Sequence, residues 1–173
     1  MEHHAASLHD IGKIGVADTI LNKPGKLTNE EYSIIKTHPV IGADIIKGVE
    51  LIAYTEDVAR YHHERYDGKG YPCGLKGEEI PFYARIVAVA DSYDAMNSKR
   101  IYRKSLSKEI IRSEIEKNKG LQFDPQIADT FLELFDSGEL ELNENDANSP
   151  ELNGNIDNTN VSDAEQMISA VMN

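Results

Sequence analysis

Apolar positions recur at three- and four-residue spacing through most of the chain, and few runs alternate as a half-buried strand would. The pattern predicts an all-α fold. Thr28 followed by Glu31 forms a capping-box signature that opens a helix through "EEYSIIKT", which Pro39 should interrupt; Gly42 to Gly48 then continue or restart it. A helix over Asp57 to Glu64 should end at the turn signals Asp67, Gly68, Gly70 and Pro72, with both glycines expected at positive φ. Pro81 starts the next helix, on which Ile86, Val89, Ala90 and Tyr93 are the expected buried face and Asp91 and Asp94 take neighbouring faces. Ser107 or Lys108 opens another. Asp124 as N-cap before Pro125 begins the last, carrying Ile127, Phe131, Leu134 and Phe135.

The segment "MEHHAASL" reads as the middle of a helix running into His9 and Asp10. From about Gly138 the chain turns Asn-, Asp- and Glu-rich, so residues 1–137 are expected to form one domain and residues 138–173 an acidic, disordered tail. That division changes the meaning of the charge. Of the formal −12, residues 136–173 supply nine acids and no Lys or Arg, which leaves 21 acids against all 18 bases in the rest. A nearly balanced domain can still concentrate cations in one cleft, so an anionic substrate is allowed while nonspecific DNA binding is not expected. No apolar run is long enough to span a bilayer, which argues against membrane insertion, and the lone Cys73 excludes an internal disulfide, which suits the cytoplasm.

The chemistry concentrates in His and Asp. His9 and Asp10 are adjacent, His38 precedes Pro39, His62 and His63 are adjacent before a glycine-rich turn, and Asp91 lies on the apolar helix beyond it. Any one of these is commonplace. Together they offer neutral imidazoles, which suit first-row metals, and a carboxylate whose two oxygens can bridge two ions. Adjacent imidazoles on a helix point ~100° apart, so His62 and His63 would serve different sides of a two-metal centre.

The strings "LHDIGKIGV", "HPVIGADII", "HHERYDGKGYP", "RIVAVADSYDAMNSKRIYR" and "FDPQIADTFLEL", in this order, resemble the HD-GYP family throughout residues 5–135. The "HHE" and the triplet Gly70-Tyr71-Pro72 separate that family from the wider HD phosphohydrolases. The resemblance implies a metal-dependent hydrolase of cyclic di-GMP with two ions, or three in a full-length site, iron or manganese most often. It implies His9, Asp10, His38, His62, His63 and Asp91 as metal ligands, with Asp10 bridging. It also implies Lys13 and Asp10 in catalysis, and Lys13, Tyr71, Arg100 and Arg103 at the substrate. Independently of the resemblance, phosphodiester hydrolysis needs an activated water and donors for the charge that builds on the phosphoryl oxygens.

Family members with a full centre take a further ligand from a helix upstream of the His-Asp pair, and only eight residues precede His9. The expectation is therefore fewer than two tightly held ions, a homo-oligomer that covers exposed apolar surface, and slow hydrolysis or none. A catalytically weak cyclic-dinucleotide-binding module is the alternative reading, and an upstream sensory or receiver partner is compatible with either. His3 and His4 precede His9 off its helical face and are expected to be exposed. Glu64 and Asp67 are left outside the ligand set, either orienting imidazoles or making loop contacts.

Overall fold

The computed structural model describes residues 6–48, 54–98 and 106–140, and the described residues are helical, without a strand. A 3₁₀ turn at Ile11–Gly15 leads to a short α1 (Asp18–Leu21), then α2 (Asn29–Ile35), α3 (His38–Ile46) and α4 (Thr55–Tyr61). After a loop with one 3₁₀ turn at Gly77–Glu79 come α5 (Phe82–Asn97), α6 (Lys108–Asn118) and α7 (Pro125–Ser137). The tail beyond Leu140, Arg100, Arg103, His3 and His4 lie outside the described residues.

Local cap chemistry sets most of these boundaries. Thr28 Oγ1 accepts from the Glu31 amide at 3.2 Å while the Glu31 carboxylate accepts from the Thr28 amide at 2.7 Å, and Lys23 holds that carboxylate at 2.6 Å. Ser107 caps α6, and Asp124 caps α7 through the amides of Gln126 and Ile127. The helical run does break ahead of Pro39, at Lys36 and Thr37, but it restarts at His38, and Pro39 occupies the first turn of α3, where its missing N–H is not needed.

Two expected faces are corrected. On α5 the buried residues are Ala84, Val87, Ala88, Val89, Ser92, Ala95 and Met96, whereas Ile86 and Ala90 are exposed. The helix is apolar on more than one side, so spacing alone could not choose the face. On α7 it is Leu132, with Ala128 and Phe135, that is buried, and Leu134 is exposed. The main core joins the second half of α5 to α6 and α7 through Val89, Met96, Ile111, Ile115, Phe123, Ala128, Leu132 and Phe135. α3 and α4 pack on each other, and α3 also carries the first 3₁₀ turn. That second packing positions the site. Among the described residues no helix is long and apolar enough to cross a membrane.

Candidate metal centre

His9 and Asp10 lie in a turn just ahead of the 3₁₀ segment, not inside a helix. What brings them to α3 is a backbone contact between two glycines. A methyl group at Gly12 would fall 1.9 Å from the His38 carbonyl oxygen and 2.4 Å from the Gly42 nitrogen, so only glycine lets the turn rest on the helix. The Asp10 carboxylate thereby reaches His38 at the start of α3. Helix α4 ends at Tyr61, so His62 and His63 follow it in a turn and the ~100° divergence of helical neighbours does not apply. Their rings lie 4.1 Å apart and both face the Asp10 side of the fold.

The two oxygens of Asp10 serve different neighbours. Oδ1 lies 3.3 Å from His38 Nε2 and 4.0 Å from His62 Nε2. Oδ2 lies 3.4 Å from His9 Nε2, which is itself 3.5 Å from Asp91 Oδ1. Ligand atoms of Asp10, His38, His62 and His63 all fall within 4.8 Å of one another. Asp91, from α5, completes the other side.

The imidazoles are aimed by the backbone. Nδ1 of His38 lies 2.7 Å from the Ile35 carbonyl, Nδ1 of His62 is 3.0 Å from the carbonyls of Val58 and Ala59, and Nδ1 of His9 is 2.5 Å from that of Ala6. A carbonyl only accepts, so each Nδ1 carries the proton and each Nε2 is turned to the centre. His38 and His62 are almost wholly buried. Burial, reinforced by His9 and His38, pushes His62 down to about 4, and burial with the same kind of imidazole neighbours holds His63 well below its ordinary value. Both therefore stand neutral, as metal ligands must.

The carboxylates are held charged. Burial works against Asp10, yet contacts from His38, His9 and Lys13 outweigh it and keep its carboxyl far below the usual carboxylate range. Asp91 is lowered likewise by His9 against its burial. Burial also opposes charge on His9, but Asp10 and Asp91 override it and raise that imidazole to about 10. His9 Nε2 and Asp10 Oδ1 are buried without a hydrogen-bond partner, an arrangement that costs on the order of 1–3 kcal/mol per group unless something satisfies them. The neutral imidazoles of His62 and His63, two ionised carboxylates and these orphaned atoms make a donor set that fits divalent cations, and at His9 a cation would take the place of the proton that Asp10 and Asp91 hold there.

Around the centre, the loop after His63 is fastened by Glu64, whose buried carboxylate accepts from the amides of Cys73, Gly74 and Leu75 at 2.7, 3.1 and 3.1 Å. Glu64 thus shapes the loop and orients no imidazole. Gly68 has φ +81° as expected; Gly70 does not, and is required for space, because a Cβ there would lie 2.3 Å from the Arg65 nitrogen. The loop presents Tyr71, whose ring stacks on His63 at 4.9 Å. Lys13 Nζ lies 2.5 Å from Asp10 Oδ2. A polar pocket runs from His62, His63 and Asp91 to Arg65, Ser92 and Gln122. Arg65 is tied to both Asp67 and Gln122, and Gln122 reaches Ser92 Oγ at 3.4 Å. Sequence reading missed Gly12, Gly42, Ser92 and Gln122 as shapers of the site, since none carries chemistry and each acts through a distant partner.

The family model that matches this chain is the HD domain, over residues 2–127. A cyclic di-GMP phosphodiesterase of Thermotoga maritima is 48% identical over 132 residues, covering 75% of this chain and 36% of that protein. A cyclic di-GMP phosphodiesterase response regulator of Xanthomonas campestris is 46% identical over 130 residues, with coverages of 74% and 34%. A 3'3'-cGAMP-specific phosphodiesterase of Vibrio cholerae is 40% identical over 138 residues, with coverages of 79% and 26%. The chain spans about a third or less of the length of these curated relatives. Among solved structures, that of a cyclic GMP-AMP specific phosphodiesterase of Vibrio cholerae has the same fold, with a TM-score of 0.55 at 19% identity over 96% of this chain and 48% of that one.

Proposed function

This chain belongs to the HD domain family, as its motif resemblance implies, and from that premise we propose that it is a metal-dependent phosphodiesterase hydrolysing cyclic di-GMP or a related cyclic dinucleotide. The observation that carries this reading is the divided carboxylate of Asp10, with His38 and His62 at one oxygen and His9, beside Asp91, at the other. In this reading His9, Asp10 and Asp91 hold one ion and Asp10, His38, His62 and His63 a second, with iron or manganese as the metals. Bound there, divalent ions would polarise a phosphoryl oxygen and lower the pKa of a water molecule.

The protein's own groups have the remaining tasks. Asp10 stays ionised and keeps its geometry because His38, His9 and Lys13 surround it. The backbone carbonyls of Ile35 and Val58 fix the proton positions of His38 and His62, so their free nitrogens need no reorientation when the site fills. Lys13 is part-exposed and keeps two more N–H donors for charge on a phosphoryl oxygen. Tyr71 lines the cleft, and Arg100 and Arg103 are assigned to the phosphates through their forked donors. The relatives named for cyclic di-GMP and for 3'3'-cGAMP support the dinucleotide class without choosing between purines.

Metal analysis of anaerobically purified protein, with product analysis on cyclic di-GMP, tests this reading directly. Asp10→Ala should lose bound metal and hydrolysis together, because no neighbouring carboxylate can replace a bridge. Parental metal content or turnover in that variant would overturn the assignment.

A further inference from the structure

The phosphodiesterase reading gives no role to Lys36, a cation beside the Gly-Tyr-Pro loop. Lys36 follows the last residue of α2, and its ammonium lies 4.5 Å from the centroid of the Tyr32 ring and 5.1 Å from that of Tyr71. Neighbouring cations have carboxylate partners: Lys13 on Asp10, Lys23 on Glu31, Arg60 on Asp44 and Arg65 on Asp67. Among the described residues no carboxylate lies within ion-pair distance of Lys36, although the chain carries 30 acids to 18 bases. The tyrosines offer ring faces and no formal charge. Cation–π attraction positions an ammonium without neutralising it.

Resting on that reading, we infer that Lys36 is a substrate-binding residue that takes the second phosphodiester of a cyclic dinucleotide while the first lies at the Asp10 centre. The two phosphodiesters of such a ligand sit across one small ring, so the second falls several ångströms from the reacting one. Tyr71 stacks on His63 at 4.9 Å, and with Lys36 5.1 Å from Tyr71 the ammonium can be no more than about 10 Å from the His63 ring. The site therefore has a cation within about 10 Å of one of its ligand imidazoles, near enough for a ligand that spans both. The Tyr32 ring under the ammonium is itself held without a hydrogen bond at its buried hydroxyl, so no polar group of that side chain answers the charge of Lys36. The Tyr71 ring then acts as a spacer between the metal-side imidazole and the phosphate-side ammonium, and the Gly-Tyr-Pro loop gains a direct part in measuring the substrate.

The test compares Lys36→Met and Lys36→Arg with the parent on cyclic di-GMP and on bis(p-nitrophenyl) phosphate, which has a single phosphodiester. Lys36→Met should raise KM for cyclic di-GMP roughly ten- to a hundredfold, the range for one lost charged hydrogen bond, with a smaller change in kcat and parental metal content. Lys36→Arg should recover most of the loss, and the salt dependence of KM should flatten in Lys36→Met. The KM increase should be several times smaller on bis(p-nitrophenyl) phosphate. Equal losses on both substrates would make Lys36 a staple for the Tyr71 loop and overturn the inference. An unchanged KM on cyclic di-GMP would overturn it while leaving the phosphodiesterase reading standing. A metal-loaded parent inactive on cyclic dinucleotides would instead remove that reading and this inference with it. Should Lys36→Met fail to fold, Lys36→Gln carries the same comparison.

Discussion

Helix α5 looks two ways. Val89 and Met96 enter a core in which Ile111, Ile115, Phe123, Leu132 and Phe135 are each at most 5% exposed. Asp91, two residues beyond Val89, faces His9 at 3.5 Å and lines the polar pocket with His62 and His63. The first region is held by apolar area: Phe131 and Phe135 stack at 5.8 Å and Tyr93 closes on both. The second has little of this, its own buried apolar cluster being Val58 and Val87 with Tyr83 against them. It is assembled by glycine contacts, imidazole bonds to carbonyls and a carboxylate-fastened loop. Stability and site geometry therefore reside in different contacts, and each can be broken with limited damage to the other.

The largest effect on stability should come from Phe135→Ala. The side chain is 1% exposed, and emptying such a site costs about 3–5 kcal/mol through lost transfer energy and the cavity left behind. Below its lowered melting temperature the variant should bind the parental amount of metal, since none of the lost contacts reaches the histidines. Urea unfolding with metal analysis on the same sample checks both halves. Loss of metal from a folded Phe135→Ala protein would mean that the regions are coupled through α5.

Gly12→Ala is the converse. The added methyl meets the backbone of His38 and Gly42, which cannot rotate aside, so the 3₁₀ turn must lift from α3. Overpacking of this kind costs roughly 1–3 kcal/mol, less than Phe135→Ala, yet it displaces His9 and Asp10 together from His38. The expected protein is folded by circular dichroism and poor in metal. Parental metal content in Gly12→Ala would show that the centre tolerates a shift of its first turn and would weaken the contrast.

The same division explains what could be read from the sequence. Caps at Thr28, Ser107 and Asp124 were legible because a cap is made within four residues of itself; the six ligand candidates could be nominated because imidazole and carboxylate carry chemistry wherever they sit, and the structure gathers ligand atoms of Asp10, His38, His62 and His63 within 4.8 Å. The all-α class and the family resemblance are borne out by the fold and by the HD domain match. The buried face of α5 was not legible: Ile86 and Val87 are equally good core residues by type, and only the positions of α4, α6 and α7 decide between them. Gly12 against Gly42 and Gly70 against Arg65 were beyond reach for a related reason. A glycine chosen for backbone clearance has no period and no polar signature, so its partner appears only in three dimensions.

The smallest expected stability effects compare one interaction type in both regions. Arg112 holds Asp136 with Nε 3.1 and 3.0 Å from the two carboxylate oxygens, linking α6 to α7 on the surface of the apolar half, with both side chains nearly half exposed. Lys13 holds Asp10 at 2.5 Å, also partly exposed. Solvent screens pairs of this kind, and each is worth at most about 1 kcal/mol. Arg112→Met and Lys13→Met keep the aliphatic stems, so both should shift the urea midpoint little and by similar amounts. Their functional consequences should differ. Arg112→Met should leave cyclic di-GMP turnover at the parental rate, whereas Lys13→Met removes an ammonium placed to stabilise developing phosphoryl charge and should slow turnover by roughly a hundredfold or more. Equal turnover in the two variants would show that the Lys13 pair is as passive as the surface one, and would confine the working groups of the site to its metal ligands and the cations farther from Asp10.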